Sequence, residues 1–312
     1  MVFKHISVMP EEVLHYLCPQ PGQTFVDCTL GGAGHARAIL DRILPGGLLV
    51  ATDQDLDAIA NAKKCLATYG SAVKIVHGNY AAVPEILAQL GITGVNGIFL
   101  DLGLSFHQIE SSGRGFSFRK TEPLDMRMNC QGPTTAADIV NDSEEKGLVK
   151  IFFEYGEERF ARRIAAKIMT ARAEEKIQTS DRLAQIVKAA VPAKAAAKQK
   201  IHPATRVFQA LRIAVNQELT VLHDFMEQAA DLLIPGGRLC VLSFHSLEDR
   251  IVKKRIRALE RGCTCPPDFP ICICGKTPVV RSLSRKVVRP TEAEIARNPM
   301  ARSTRLRAFE KL

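Results

Sequence analysis

Four short apolar runs, each closed by a polar residue and followed by a stretch of helical spacing, constrain this chain more than any other feature. They are Thr24-Phe25-Val26-Asp27, Leu48-Leu49-Val50-Ala51-Thr52-Asp53, Val73-Lys74-Ile75-Val76 leading into His77-Gly78-Asn79-Tyr80, and Gly97-Ile98-Phe99-Leu100-Asp101. Runs of this length and apolar content read as strands, and their alternation with helical segments predicts a parallel sheet covered by helices. In such a sheet the ligand crevice lies beyond the carboxyl ends of the strands. Asp27, Asp53, Tyr80 and Asp101 are therefore expected on one rim. Each Asp taken alone reads more simply as a helix cap or turn former, and Tyr80 equally as a core residue. Their shared placement singles them out.

The first run opens into the loop Cys28-Thr29-Leu30-Gly31-Gly32-Ala33-Gly34-His35, and a helical stretch follows. Glycines let backbone approach a ligand closely, and the following helix presents its first free N–H groups. Asp53, roughly twenty residues on, stands where a doubly wound sheet places the carboxylate for a ribose hydroxyl pair. The dinucleotide fingerprint needs glycines at relative positions one, three and six. Starting from Gly32 and Gly34 the sixth position is Arg37, and starting from Gly31 the third is Ala33. The NAD reading is weakened. An acid four residues before the first glycine, as in Asp27 and Gly31, is instead the pattern of S-adenosylmethionine (SAM) enzymes. SAM carries a sulfonium and an ammonium but no phosphate, so an acidic, polar pocket suits it. A tight turn in any α/β protein remains the plain alternative.

After Ser105 the strand–helix rhythm breaks. Residues 106–204 hold no convincing strand and continue as helices near 144–153, 157–174 and 180–190, which predicts an inserted helical domain between two parts of one sheet, 1–105 and 205–312. Its cations Arg159, Arg162, Arg163, Lys167, Arg172, Lys188, Lys194, Lys198 and Lys200 read as a solvated face or as phosphate contacts. The rhythm returns with a long helix over about 205–233, a Pro235-Gly236-Gly237 turn and the strand Arg238-Leu239-Cys240-Val241-Leu242. Behind that strand lies Ser243-Phe244-His245-Ser246-Leu247-Glu248-Asp249-Arg250, where His245 is a candidate general base or substrate ligand, or a hydrogen-bonded turn residue. A last strand is expected over 305–309.

The charge balance points to a polyanionic partner, because 42 Lys and Arg against 33 Asp and Glu leave +9 at pH 7. RNA or DNA is favoured over membrane, since no apolar run reaches spanning length. Without a signal-like leader the chain is expected in the cytoplasm. Four of its nine cysteines, Cys263, Cys265, Cys272 and Cys274, form two Cys-x-Cys pairs around Pro266-Pro267-Asp268-Phe269-Pro270. Zinc knuckles usually separate each pair by two residues, so these are read as reduced loop thiols with structural metal the alternative, and no metal is expected.

The chain resembles the RsmH (MraW) family, bacterial SAM-dependent methyltransferases that modify the exocyclic amine N4 of a cytidine in the decoding region of 16S ribosomal RNA. The resemblance rests on His5-Ile6-Ser7-Val8-Met9, Asp27-Cys28-Thr29 with Gly32-Ala33-Gly34-His35, Asp53, Asp101-Leu102-Gly103-Leu104-Ser105 with Gln108, Leu124-Asp125-Met126-Arg127-Met128, Arg206-Val207-Phe208-Gln209-Ala210-Leu211-Arg212, Asn216-Gln217-Glu218-Leu219, Ser243 to Arg250, and Asn298-Pro299. It spans essentially the whole length. It implies a class I SAM-methyltransferase (Rossmann-like) sheet with an inserted all-helical domain, SAM as cofactor, and 16S rRNA in the small ribosomal subunit as partner. It further implies Ala33, Gly34 and His35 as the cofactor loop, Asp53 as the ribose carboxylate, Tyr80 as the adenine-side aromatic, and Asp101 with Gln108 as the remaining cofactor contacts. Ala33 stands where the resemblance expects a glycine. For chemistry, Asp101 and the carbonyls behind it would accept hydrogen bonds from the cytosine amine, and Asp101 or His245 would receive the proton.

Two rival classes share parts of this pattern. An NAD(P)-dependent oxidoreductase shares the sheet, and a non-catalytic RNA-binding protein shares the charge. Oligomeric state stays open, a homodimer included.

Overall fold

The structure, a computed structural model, describes residues 7–198, 201–261, 263, 265–266, 269–271 and 273–312. His5, Ile6, Lys200, Pro267, Asp268 and Cys272, named above, lie outside the described residues. The chain divides into two compact units, Met1–Gly103 with Leu219–Leu312, and Leu104–Glu218.

The first unit is a seven-stranded sheet. Its strands are β1 (Thr24–Asp27), β2 (Leu48–Asp53), β3 (Val73–His77), β4 (Val95–Asp101), β5 (Leu233–Ser243), β6 (Val280–Ser282) and β7 (Arg305–Lys311), in the order β3-β2-β1-β4-β5-β7-β6. The first five run parallel, and β7 lies antiparallel to both β5 and β6. Alternation along each strand feeds two cores. Phe25, Leu49, Ala51, Phe99, Cys240 and Leu242 enter one, while Val26, Val50, Ile98, Leu100, Leu239 and Val241 enter the other. Phe25 and Phe99 are fully buried, each contributing about 2–3 kcal/mol by transfer alone. A strand buried on both faces reads as a continuous apolar run, which is why these were visible in the sequence. Gly97 is required within β4: a Cβ there would sit 2.1 Å from the Phe25 ring.

The order reverses at β1, whose neighbours are β2 and β4, so chain leaving those strands diverges and opens the crevice at their carboxyl ends. Register aligns Asp27 with Ala51 and Phe99, and Asp101 with Leu242. The acids that close β1, β2 and β4 therefore share one edge.

The second unit is helical, with Ala136–Asp142, Glu145–Glu154, Ala161–Glu174, Ser180–Ala190 and Ala204–Asn216 around one core. Its loops are pinned by polar groups. Asn216 receives the N–H of Met128 at 2.8 Å and donates to the carbonyl of Met126 at 2.8 Å, and the buried Arg114 guanidinium donates to the carbonyls of Arg127 and Met128 at 3.0 and 3.1 Å. The segment Leu124–Met128 is thereby fixed from both sides.

Three expectations need correction. The sequence boundary near 205 falls instead at Glu218, because Ala204, Val207, Phe208, Ala210 and Leu211 turn their apolar face into the helical unit's core. The single helix over 205–233 is two, Ala204–Asn216 and Glu218–Gln228, interrupted where Gln217 takes a left-handed φ of 51°. The Pro235-Gly236-Gly237 turn lies inside β5 as an irregularity, with register jumping from Val95↔Leu233 to Gly97↔Arg238.

Candidate active site

The loop after β1 is tied to both neighbouring strands by short polar contacts. Asp53 at the end of β2 accepts the N–H of Gly31 at 2.9 Å on one oxygen and that of Asp55 at 2.8 Å on the other. Thr29 reaches the opposite way, its Oγ1 accepting the Asp101 N–H at 2.6 Å. Ala33 then takes a φ of 62° as the residue before the helix Gly34–Ile43. That left-handed geometry favours glycine, which explains why a glycine suits this position and shows that alanine adopts it here. His35, in the first turn, is buried against Phe99 with ring centroids 4.6 Å apart, and its Nε2 lies 3.7 Å from Asp101 Oδ2.

Three carboxylates thus converge with little to balance them. Asp27 is wholly buried; its Oδ1 takes the Thr29 N–H at 3.0 Å, while Oδ2 has no hydrogen-bond partner among the described residues. Asp101 Oδ1 is likewise buried and unpartnered among them. Desolvation is the main reason their carboxyls titrate high. Asp101 is pushed up to about 8, with the charges of Asp27 and Glu248 adding to burial. Asp27 is pushed up to about 7, burial and Asp53 outweighing the Thr29 N–H, and Asp53 to about 6, where N–H bonds from Asp55 and Gly31 hold it back. The nearby Cys28 and Cys240 thiols are raised too, by burial and then by Asp27 and Asp101 respectively, which makes them inert core groups.

Among the described residues no Lys or Arg pairs with Asp27, Asp53 or Asp101. A pyrophosphate would meet uncompensated negative charge, whereas a cationic ligand would relieve it. The donor set fits SAM on this ground, with two unpartnered buried oxygens available to positive charge. Asp53 keeps lone pairs for ribose hydroxyls beyond its N–H contacts from Gly31, Asp55 and Gln54.

At the end of β5, Glu248 organises the turn. Its Oε2 accepts the N–H groups of Phe244 and His245 at 2.8 and 3.2 Å, and its Oε1 lies 3.0 Å from His245 Nε2. The Glu248 N–H points at His245 Nδ1 from 3.4 Å. His245 is therefore held by Glu248 at Nδ1, while its Nε2 lies beside the Glu248 carboxylate without forming a hydrogen bond among the described residues. Phe244 also packs here, 3.4 Å from where a Cβ on Gly103 would stand. Thr29, Phe244 and Glu248 were missed as site residues. Glu248 carried a signal, an acid in the first turn of the helix Ser246–Arg261, where a carboxylate caps exposed N–H groups.

Tyr80 is partly exposed, its ring edge-on to Phe225 at 5.5 Å between centroids. Gln108 belongs to the helical unit, where it is buried as the third residue of a capping box with Ser105, its Oε1 accepting the Ser105 N–H at 2.9 Å. Of the cations in that unit, Arg172 is structural, donating to the carbonyls of Val140 and Ser143 at 2.8 and 2.7 Å. Arg159, Arg162, Arg163, Lys167, Lys188, Lys194 and Lys198 are exposed.

A sequence model of the MraW methylase family matches residues 2–312. A ribosomal RNA small subunit methyltransferase H from Desulforapulum autotrophicum is 57% identical over 307 residues, 98% of each chain. Proteins of the same name from Desulfosudis oleivorans and Geobacter sulfurreducens are 54% and 52% identical, each over 312 residues and the full length of both chains.

Proposed function

We propose, on the premise that the chain belongs to the MraW methylase family, that it transfers a methyl group from SAM to the amine N4 of a specific cytidine in the decoding region of 16S rRNA. The observation that carries this reading is the pair of unpartnered buried carboxylate oxygens, Asp27 Oδ2 and Asp101 Oδ1, at the ends of adjacent strands. SAM supplies an electrophilic methyl already activated by its sulfonium. The chain's task is then alignment and hydrogen bonding. Ala33, Gly34 and His35 form the cofactor loop, Asp53 takes the ribose hydroxyls, and Tyr80 offers its exposed side to the adenine. Gln108 supplies a further cofactor contact.

The cytosine amine is a weak nucleophile because its lone pair is delocalised into the ring. Asp101 accepts a hydrogen bond from it and favours its rehybridisation, and the carbonyls after Asp101 share the role. The proton released after transfer goes to Asp101, whose raised affinity for protons suits it. His245 is the second acceptor, taking the proton at Nδ1 in place of the long 3.4 Å contact from Glu248, whose carboxylate beside Nε2 steadies the charge. The exposed cations of the helical unit hold the RNA through phosphates, and the target base is single-stranded or turned out of its stack. The protein acts in the cytoplasm, where small subunits are assembled; no helix among the described residues is long and apolar enough to cross a membrane.

The test is transfer of labelled methyl from SAM to small subunits isolated from a strain lacking this gene, with nucleoside analysis of the RNA. A labelled N4-methylcytidine is expected. Intact SAM binding with no labelled nucleoside would leave the cofactor assignment standing and overturn the substrate.

A further inference from the structure

The chain between the helix Ser246–Arg261 and β6 brings together three thiols that the methyl-transfer site does not use. The Sγ atoms of Cys263, Cys265 and Cys274 all lie within 4.8 Å of one another, and those of Cys263 and Cys274 are 3.7 Å apart. A disulfide between that pair would need about 2.05 Å. The spacing instead matches the edge of a thiolate tetrahedron, since Zn–S bonds of about 2.3 Å place neighbouring sulfurs about 3.8 Å apart.

Two further observations point the same way. The N–H of Ile273 is directed at Cys265 Sγ from 3.4 Å. A backbone N–H on a ligand sulfur is the outer contact that steadies thiolate charge around a metal. The described residues of this loop bury little apolar surface, because Ile271 and Ile273 are each 75% exposed and Phe269 is 47% exposed. A segment that buries so little needs a cross-link to hold one course.

We propose that Cys263, Cys265 and Cys274 bind zinc as thiolates in a structural site that fixes the loop between the helix Ser246–Arg261 and β6. Each thiol loses its proton to solvent on binding, and one further ligand completes the tetrahedron. Soft sulfur donors select zinc over magnesium and calcium. In the sequence the single residue within each Cys-x-Cys pair and the short gap between the pairs argued against a knuckle, whereas the fold joins one pair to a residue of the other. The sequence also carries Cys272 in this loop, outside the described residues.

The experiment uses the full chain, purified without chelator and analysed for metal by mass spectrometry, then stripped and titrated with cobalt. One zinc per chain is expected, and cobalt should produce thiolate charge-transfer absorption with the visible bands of a tetrahedral site. Both should vanish in a Cys263→Ser/Cys274→Ser variant whose melting transition and SAM binding are retained. If that variant does not fold, Cys265→Ser and alkylation of the wild-type chain decide, since zinc should shield the thiols and a chelator should expose them. A zinc-supplied wild-type chain without metal and without a cobalt signal would overturn the proposal. So would a cobalt signal that survives the double substitution, or intact-mass evidence that these thiols are oxidised to disulfides.

Discussion

SAM affinity should rise steeply with pH, because the carboxylates that meet its positive charge are partly protonated in the free protein. Asp101 titrates at about 8. A ligand that needs it ionised has its dissociation constant multiplied by one plus ten raised to the difference between that value and the pH. The factor is about 100 at pH 6 and about 11 at pH 7, so affinity should tighten about ninefold across that interval, or about 1.3 kcal/mol. Asp27, at about 7, steepens the dependence by up to about fivefold more if its proton also leaves. The interval lies below the range of about 7.7 to 8 where the ligand's own amine titrates. Calorimetry in two buffers of different ionisation enthalpy measures both the affinity and the protons released. A dissociation constant that changes less than about twofold from pH 6 to pH 7, with no proton released, would refute the argument that these acids are held protonated for want of a cation.

Four other perturbations test separate links. The free chain should lose thermal stability as pH rises from about 5 to about 8, because folded values of about 6, 7 and 8 against an ordinary 3.8 mean the native state holds more protons than the unfolded chain in that window. A melting temperature that climbed over the same range would contradict the burial of these groups. Asp101→Asn should lower methyl transfer by about a hundredfold or more while SAM still binds, with the pH dependence of binding flattened; unchanged turnover would remove Asp101 from the chemistry. Gly97→Ala should cost about 1–3 kcal/mol in chemical denaturation, because its methyl group would meet the Phe25 ring at 2.1 Å and strand β4 has little room to shift. RNA affinity should fall at least about tenfold between about 50 and 200 mM salt, and a flat response would argue against phosphate contacts by the helical unit.

The sheet was legible because parallel strands covered on both faces leave runs such as Phe99 and Leu100 that no loop would carry, and because an acid ends three of them. The residues that complete the cluster were less visible. Thr29 contributes through one side-chain oxygen on the Asp101 N–H, a contact that depends on the register of β1 and β4 rather than on any local pattern. Glu248 contributes through the geometry of a turn, where one of its oxygens takes two backbone N–H groups. The boundary of the helical unit was misplaced for a similar reason. The amphipathic spacing of Ala204–Asn216 shows that the helix has an apolar face, but spacing alone does not say which core receives it.

The cost of the site follows from its position. Closing β1 and β4, neighbours at the point where strand order reverses, with Asp27 and Asp101 puts two like charges beside an apolar interior, and Asp53 adds a third from β2. A protein built only for stability would place neutral groups there, since burial without a cationic partner disfavours every one of these charges. Protonation removes that conflict in the free state, and a cationic ligand removes it in the bound state. The two states therefore differ by protons as well as by ligand. Glu248 strengthens the coupling: its charge helps raise Asp101, while its N–H acceptance holds the turn of His245 in place. Glu248→Gln should then move the pH dependence of SAM binding to lower pH, and retain the turn only if the amide oxygen keeps the Phe244 and His245 N–H groups. A pH profile left where it was, in a folded variant, would show that Glu248 serves the turn alone.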